Sequence, residues 1–160
     1  MPFVERITDA GPPSGRQRTL ARAPIVLYRW GLGALLGRRF LYLVHTGRRS
    51  GLKREVVLEV VTSDTGSTTA CSGFGTKAAW YRNVLENPSV TIQSGRLRTA
   101  ATAVPLDVET GVELMSEYAG KHPKIAARLA RVMGYRVDGS DDDFRALGRE
   151  VRFVRFDHGG

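Results

Sequence analysis

Short apolar runs divide the chain from residue 40 onward into segments of strand length. These runs are rich in Val, Leu, Ile, Phe and Thr, and clusters of Gly, Asp, Ser and Asn separate one run from the next. β-Branched and aromatic residues are typical of strands, and the separating clusters are typical of turns. The pattern predicts six strands, at residues 40–45, 54–63, 67–71, 90–93, 97–104 and 151–156.

Apolar residues at helical spacing, with charged residues between them, mark the remaining segments as helices. The predicted helices cover residues 20–36, 77–86, 108–120, 124–133 and 141–147. Thr76 is a suitable N-cap for the second helix, and the dipeptide Asn87-Pro88 ends it. Ser140 caps the last helix, and Asp143 occupies the position from which a capping box reaches back to the cap.

The order of these elements argues against a parallel sheet, because strands do not alternate regularly with helices. No Rossmann fingerprint is present, since the run Gly73-Phe74-Gly75 has no third glycine and no acidic residue on the following strand. We therefore predict an α+β fold. Its centre is a mostly antiparallel barrel of about six strands, and its helices pack outside that barrel.

Length and composition indicate one globular domain. The chain has 160 residues, of which 42% are hydrophobic, enough for a sizeable core. Residues 1–17 are rich in Gly, Pro and Arg and predict a flexible basic arm, so the single domain is expected to span residues 18–160. The start of the chain has no apolar run typical of a signal peptide.

The charge predicts an anionic partner. Lys and Arg exceed Asp and Glu by 24 to 16, which gives a formal net charge of +8.

The lone cysteine, Cys71, excludes an intrachain disulfide and favours a cytoplasmic location, and its place at a strand end predicts an inert buried thiol. The apolar stretch 23–36 is too short to span a bilayer; it predicts an N-terminal helix packed on the domain, with peripheral membrane contact as the alternative.

Two glycine-rich loops are the strongest candidates for a ligand site. The first, Thr46-Gly47-Arg48-Arg49-Ser50-Gly51, joins the first two predicted strands, and Lys53 and Arg54 follow it. We refer to residues 46–54 as the arginine turn. Backbone N–H groups in a tight glycine turn can form an anion nest, to which the arginines and the serine add side-chain donors.

The second loop, Ser72-Gly73-Phe74-Gly75-Thr76-Lys77, runs into the helix that carries Trp80 and Tyr81. N–H groups at a helix N-terminus also favour anions. If the two loops converge, they would hold an elongated ligand that carries a phosphate. The alternative is that both are solvated turns with basic side chains.

These motifs, together with Arg54, Asn83 and Asn87-Pro88, resemble the deazaflavin-dependent nitroreductase family. The likeness is strong over residues 40–104 and weaker through the remainder, where it includes Tyr118 and Gly134-Tyr135. It implies a split β-barrel, related to the FMN-binding split barrels, that uses coenzyme F420. This cofactor carries a phosphate and a polyglutamate tail, which the basic loops would suit. FMN is the second choice of cofactor.

The resemblance also implies roles for individual residues. In the arginine turn, Arg48, Arg49, Ser50 and Arg54 would grip the phosphate and the tail, and Thr46, Gly47 and Gly51 would shape the turn. Along the edge of the deazaflavin ring would lie Val56, Val57 and Leu58. Over the phosphate and linker would lie Ser72, Gly73, Phe74, Gly75, Thr76 and Lys77. Trp80 would pack beneath that loop, and Tyr81 and Asn83 would brace it.

The implied activity is the transfer of a hydride from F420H2 to an electron-poor small molecule, which could be a quinone, an enone or a nitro compound. Val57 stands where better-known members have a proline, so the acceptor stays open among these. The candidates for the proton donor are Tyr81, Ser72 and Tyr135. His45 ranks below them, because a hydrogen bond to the backbone is its expected role.

Three further expectations complete the interpretation. The aspartates at 141–143 predict a helix cap and not a metal site, because no His or Glu partners them in sequence.

The main alternative function is a non-catalytic barrel that carries flavin, haem or lipid. A nucleic-acid-binding barrel ranks lower, because the predicted strands are aliphatic and lack interleaved aromatic and basic residues. The sequence leaves the choice between monomer and dimer open.

Overall fold

The structure is a computed structural model, and it describes residues 5–6 and 39–159. Eight strands are present in this part of the chain: β1 (Glu5–Arg6), β2 (Phe40–Thr46), β3 (Lys53–Ser63), β4 (Ser67–Ser72), β5 (Ser89–Ser94), β6 (Leu97–Pro105), β7 (Tyr135–Arg136) and β8 (Arg152–Asp157). Four α-helices accompany them: α1 (Ala79–Glu86), α2 (Val108–Lys121), α3 (Pro123–Val132) and α4 (Asp141–Glu150). The predicted helix at 20–36 and most of the predicted basic arm lie outside the described residues.

The chain forms two compact units. In the described residues, one unit consists of residues 5–6, Ser72–Ala78 and Leu106–Phe153, and we call it the helical unit. The other consists of residues 39–71, Ala79–Pro105 and 154–159, and we call it the barrel unit. Nothing tests the expectation that residues 18–160 make one domain, and it stays a prediction.

The barrel unit is built on a closed antiparallel sheet of six strands in the order β2-β3-β4-β8-β6-β5. This arrangement confirms the predicted fold class. Leu41 and Leu43 of β2 are fully buried, and they lie opposite Leu58 and Val56 of β3, so these four aliphatic side chains share one face. Their burial explains why the strands are aliphatic, since each buried side chain of this size contributes roughly 1.5–3 kcal/mol to folding.

A bulge interrupts the alternation of β3. Val60 lies opposite Ala70 whereas Thr62 lies opposite Thr69, which leaves Val61 as an extra residue in the ladder. Simple alternation along the strand would place Val61 on the same face as Val57 and Glu59, and the bulge breaks the alternation at Val61. A bulge shifts the facing of all later residues in a strand, and the sequence gives no local signal for it here.

Helix α1 begins later than the sequence predicts. Residues Gly75–Lys77 form a single 3₁₀ turn, Ala78 is extended, and the α-helix starts at Ala79. The assignment of Thr76 as the N-cap is therefore wrong, and Phe74, which precedes the 3₁₀ turn, makes no side-chain capping bond. Within this turn the Lys77 N–H donates to the Phe74 carbonyl at 3.1 Å.

In the helical unit, α2 packs closely against α4. A Cβ atom placed on Gly148 of α4 would lie 2.9 Å from the Cα atom of Val112 and 3.1 Å from the Cβ atom of Met115. Gly148 therefore allows the two backbones to approach.

The short strand β7 pairs with β1, and the sequence predicted neither, because two residues are too few to show a period.

The N-terminus of α4 confirms the Ser140 cap, since its hydroxyl accepts a hydrogen bond from the Asp143 N–H at 3.1 Å. The reciprocal half of the predicted capping box is absent. Asp143 is fully buried and accepts from the Asp138 N–H at 2.7 Å, while the Ser140 N–H donates to Asp138 at 2.7 Å. No helix in the described part of the chain is both long enough and apolar enough to cross a membrane.

Candidate functional site

The arginine turn closes the hairpin between β2 and β3. The Gly47 N–H donates to the Leu52 carbonyl at 2.8 Å, and the Gly51 N–H donates to the Gly47 carbonyl at 2.9 Å. Gly51 has a φ of 68°, which glycine adopts without strain. A Cβ atom on Gly47 would lie 2.6 Å from the Ser50 Oγ atom, so a larger residue there would displace the Ser50 hydroxyl.

The backbone of this turn is occupied by the protein's own groups. Besides the two glycine amides, the Leu52 N–H donates to Ser50 Oγ at 3.2 Å and the Arg48 N–H donates to Asn83 Oδ1 at 3.1 Å. The prediction of a backbone anion nest is thus wrong for residues 47, 48, 51 and 52. Any anion at this turn must be held mainly by side chains.

Those side chains are cationic. Residues 46–54 contain Arg48, Arg49, Lys53 and Arg54 and no acidic residue. Arg49, Lys53 and Arg54 are exposed, as is the Ser50 hydroxyl, whereas Arg48 is half-buried. A group of four positive charges on a surface turn attracts anions, and guanidinium groups can bind phosphate and carboxylate oxygens in a bidentate manner.

Asn83 of α1 holds this turn in place through hydrogen bonds to Arg48. Its side chain is 4% exposed, and its Oδ1 atom accepts two hydrogen bonds from Arg48, one from the backbone N–H at 3.1 Å and one from Nη1 at 2.9 Å. The resemblance implied that Asn83 braces the second glycine-rich loop. The structure gives it the arginine turn as its partner instead, a contact between residues 35 positions apart.

His45, the penultimate residue of β2, completes the support of the turn. It is 5% exposed, and its Nδ1 atom lies 3.1 Å from Asn83 Nδ2. Burial, with a smaller contribution from the nearby charge of Arg54, lowers the pKa of His45 from 6.5 to about 4. The imidazole is therefore neutral at physiological pH, and its partner is a side chain, not the backbone as predicted.

Trp80 and Tyr81 belong to the interior of the barrel unit. Both are buried, and their rings meet edge to face with centroids 6.1 Å apart. The ring centroids of Trp80 and Phe156 lie 6.5 Å apart. Large aromatic side chains in such a setting contribute mainly to packing. Neither ring is presented to solvent.

The three residues predicted to lie along a cofactor ring do not share one face of β3. Val57 packs with Tyr42 on one side of the sheet. Val56 and Leu58 face the other side, opposite Leu43 and Leu41. Leu58 is buried there, and Val56 is half-buried. A flat ligand along this strand could meet only one of these faces at a time.

The second glycine-rich loop lines a pocket in the helical unit. The pocket has a volume of about 210 Å³. Six residues singled out from the sequence line it: Gly73, Phe74, Gly75, Thr76, Lys77 and Tyr135. The structure therefore brings a predicted proton donor next to a predicted cofactor loop, although some 60 positions separate them in the sequence.

The loop holds its shape through its own contacts. Ser72 is buried, and its hydroxyl donates to the Gly75 carbonyl at 2.8 Å, so its proton is already engaged. Gly75 has a φ of 56°, and a Cβ atom there would lie 3.0 Å from the Glu150 carbonyl oxygen. Gly73 packs against Met133, whose Sδ atom lies 2.3 Å from the place where a Cβ would be.

Four lining residues of this pocket were not predicted: Met133, Arg149, Glu150 and Arg152. They come from the end of α3, the end of α4 and the start of β8, which are distant from the loop in sequence. Arg149 is paired with Glu109 at 2.8 Å, and Arg152 donates to the Arg149 and Val151 carbonyls at 3.0 and 2.9 Å. The surplus of arginine near the C-terminus was the only sequence signal available.

The remaining chemical group singled out from the sequence is Cys71. Burial, together with the negative charge of Glu59, raises the pKa of its thiol to about 12. It stays protonated at neutral pH, as expected for an inert cysteine. The predicted convergence of the arginine turn with the second loop stays a prediction, because one belongs to the barrel unit and the other to the helical unit.

Comparison with known proteins gives one family match. The profile of the family described as F420H(2)-dependent quinone reductase matches residues 28–134. This span is well over half of the chain and contains the arginine turn, the second loop and α1. No protein with a curated description matches the sequence.

Several solved structures share the fold. An F420-H2 dependent reductase, FDR-A, is 23% identical, with a TM-score of 0.52 over 76% of this chain and 96% of its own. A protein described as a domain-swapped dimer is 20% identical, with a TM-score of 0.51 over 84% and 100%. HutZ, the haem storage protein from Vibrio cholerae, is 13% identical, with a TM-score of 0.50 over 84% and 91%. At these identities the likeness concerns the fold.

Proposed function

Because the chain belongs to the F420H(2)-dependent quinone reductase family, we propose that it transfers a hydride from reduced coenzyme F420 to a quinone. The observation that carries the proposal is the family match over residues 28–134. Family membership makes the chain an F420H2-dependent oxidoreductase. The quinone as acceptor, and the roles of the individual residues, are our proposal.

The chemistry of the arginine turn fits the cofactor. A phosphate and a polyglutamate tail need positively charged donors that solvent can reach, and Arg49, Lys53 and Arg54 are exposed cations with no acidic residue among them. In the described residues, no carboxylate is paired with any of these three side chains. A turn made for packing alone would gain nothing from this uncompensated charge.

We propose that the turn anchors the anionic end of the cofactor. Arg49 and Arg54 would bind phosphate and tail carboxylates through their guanidinium groups, and the Ser50 hydroxyl would add a donor. The Nη1 group of Arg48 donates to Asn83, and this hydrogen bond orients the guanidinium. The other N–H groups of the guanidinium are left for a ligand. Such preorganisation reduces the ordering cost of binding.

The second loop would take part in binding through Gly73, Phe74, Gly75, Thr76 and Lys77, as the family resemblance implies. When bound, the reduced deazaflavin supplies the hydride. Reduction of a quinone to a hydroquinone also requires a proton at the oxygen. We assign the donation of that proton to Tyr135, because of the three predicted donors it is the one that lines the pocket of the loop.

A turnover assay tests this function. Purified protein is mixed with F420H2 and a water-soluble naphthoquinone, and the return of F420 fluorescence is followed. An enone and a nitroimidazole at equal concentration rank the acceptor classes, and samples without protein measure spontaneous oxidation. We expect multiple turnovers, fastest with the quinone. A rate equal to the protein-free control with every acceptor would refute an enzymatic function.

A haem carrier is the second candidate, and the fold shared with HutZ favours including it. Titration with haem, followed by its Soret absorbance, tests this candidate with the same protein sample. If the protein is a reductase, haem should bind weakly and should not compete with F420. Tight haem binding in a protein without turnover would favour the carrier.

The assembly and the location also belong to this proposal. Of the two predicted states we propose a dimer, supported by the similar structure described as a domain-swapped dimer. Light scattering coupled to size-exclusion chromatography distinguishes it from a 17.6 kDa monomer. A cytoplasmic location and a peripheral membrane contact through residues 23–36 stay predictions.

A further inference from the structure

A buried chain of hydrogen bonds links β2, α1 and the arginine turn. It runs from His45 Nδ1 to Asn83 Nδ2 at 3.1 Å, and from Asn83 Oδ1 to the backbone N–H and Nη1 of Arg48 at 3.1 and 2.9 Å. His45 and Asn83 are 5% and 4% exposed, so water has little access to either side chain. All three residues belong to the barrel unit.

The donors and acceptors in this chain allow only one arrangement. Both groups that Arg48 directs at Asn83 are N–H donors, so the amide atom that faces them must be the oxygen. The amide nitrogen must then face His45 and donate to it. An imidazole nitrogen that accepts a hydrogen bond carries no proton, which puts the His45 proton on Nε2.

We propose that His45 is a positioning residue for the arginine turn: by accepting from Asn83, its neutral imidazole holds the amide oxygen toward Arg48 and so aims the turn at the anionic end of the cofactor. This inference rests on the proposed function for the identity of the anion. The internal arrangement of the three side chains is a property of the protein without any ligand.

His45 acts by excluding the alternative orientation of Asn83. If the amide rotated by 180°, its NH2 group would face two N–H donors of Arg48, and both hydrogen bonds would be lost. Without an acceptor at position 45, the buried Asn83 N–H would be unpaired and the two orientations would become closer in free energy. The Arg48 guanidinium would then lose its fixed direction.

The surroundings keep His45 in the required state. Arg54 lies directly opposite on β3, and its positive charge disfavours an imidazolium at position 45. The neighbouring pair in the ladder is Lys53 opposite Thr46, and its side chains face the other side of the sheet. Glu55, one step further along β3, is opposite Val44 and is bonded to the Tyr42 hydroxyl.

The ligand-free protein provides the first test, by NMR with ¹⁵N-labelled histidine. The chain has three histidines, and the His45→Asn variant identifies the signal of His45 by its loss. We expect an unprotonated Nδ1 and a protonated Nε2 from neutral pH down to about pH 5. In the Asn83→Asp variant a carboxylate oxygen replaces the donor, so the proton should move to Nδ1. A wild-type protein with its proton on Nδ1 would overturn the proposal.

The second test measures the dissociation constant for F420 by fluorescence. His45→Leu, which has no acceptor, should weaken F420 binding about tenfold, with kcat nearly unchanged at saturating cofactor. His45→Asn should rescue the affinity, because its Oδ1 atom falls close to the position of Nδ1. Thr68→Val is the matched control: Thr68 is buried in the same barrel and its hydroxyl is hydrogen-bonded to Ser63 of β3, so its loss should affect stability alone.

The two tests separate a failure of this inference from a failure of the proposed function. If wild-type protein binds no F420, the function is wrong, while the tautomer of His45 and its change in Asn83→Asp still report on the positioning role. If wild-type protein binds F420 and His45→Leu binds equally well, or His45→Asn fails to recover the affinity, the positioning role is refuted.

Discussion

Tyr135 is the residue whose role most depends on where the fold puts it. It is buried, yet it lines the pocket formed by the second glycine-rich loop. A phenol in a partly enclosed pocket can donate a proton while its ring is held by packing. The sequence ranked it equally with Tyr81 and Ser72, which are also buried, and its place in the lining of the pocket separates it from them.

Replacing Tyr135 with phenylalanine should therefore lower kcat by roughly 10²-fold, the range typical of a lost general acid. The affinity for F420 should change little, because the ring that shapes the pocket remains. Tyr118→Phe is the matched control, a half-buried tyrosine on α2 whose ring contacts His122. Steady-state kinetics with the naphthoquinone provide the measurement, and an unchanged kcat in Tyr135→Phe would assign the proton to water or to another group.

His45 should also make the stability of the protein depend on pH. Its pKa falls from 6.5 when exposed to about 4 in the folded protein, so the unfolded chain binds one more proton between these values. The free energy of unfolding should decrease as the pH falls from 6.5 to 4, by on the order of 3 kcal/mol from this group. Above pH 6.5 the group contributes no pH dependence.

Urea denaturation at a series of pH values measures this effect. His45→Asn should flatten the acid limb of the stability profile, because asparagine does not titrate. The carboxylates remain in the variant and account for the residual slope. If wild type and variant lose stability in parallel from pH 6.5 to pH 4, the imidazole is not held neutral in the fold.

Helix α4 depends on a glycine for its packing. Gly148→Ala would force a methyl group against the Val112 backbone at 2.9 Å and against Met115, so we expect a loss of about 2 kcal/mol from overpacking. Gly120→Ala on α2 is the matched control. No atom lies within 4 Å of its Cβ position, and alanine should stabilise the helix by up to about 1 kcal/mol. Thermal unfolding should therefore shift in opposite directions; a shift in the same direction would contradict the described packing of α2 on α4.

The elements were largely predictable from sequence, whereas their ends and irregularities were not. All six barrel strands were predicted within two residues at each end, because aliphatic runs between Gly, Asp and Asn turns leave few alternatives. The bulge at Val61 and the 3₁₀ turn at Gly75–Lys77 were missed. Both are set by tertiary pairing, which local propensity does not encode.

The same distinction holds for the site. The arginine turn could be recognised locally, because Gly47 and Gly51 and the cationic residues lie within one short segment. Its support could not: Asn83 contacts Arg48 across 35 positions, and the His45 side chain is linked to Arg48 through Asn83. The residue types alone suggested a backbone nest, but the amides of residues 47, 48, 51 and 52 are hydrogen-bonded within the protein.

At the scale of the whole molecule, the positive charge favours an anionic ligand, whereas the barrel fold alone favours no particular ligand. The fold is shared with proteins of other described roles, including haem storage, so the architecture by itself assigns no chemistry. The formal charge of +8 comes partly from the turn, where four cations occur within nine residues. We therefore propose, as the central claim, that the arginine turn anchors an anionic deazaflavin cofactor.

Fluorescence titration of F420 tests this claim most directly, with wild-type protein and the Arg49→Ala/Arg54→Ala double variant at low ionic strength. Arg128→Ala/Arg131→Ala is the control, since it removes two exposed charges from α3 and leaves the turn intact. We predict tight binding by wild type and control, and affinity at least about tenfold weaker in the turn variant at equal thermal stability. Equal affinity in all three proteins, or no binding by wild type, would contradict the claim.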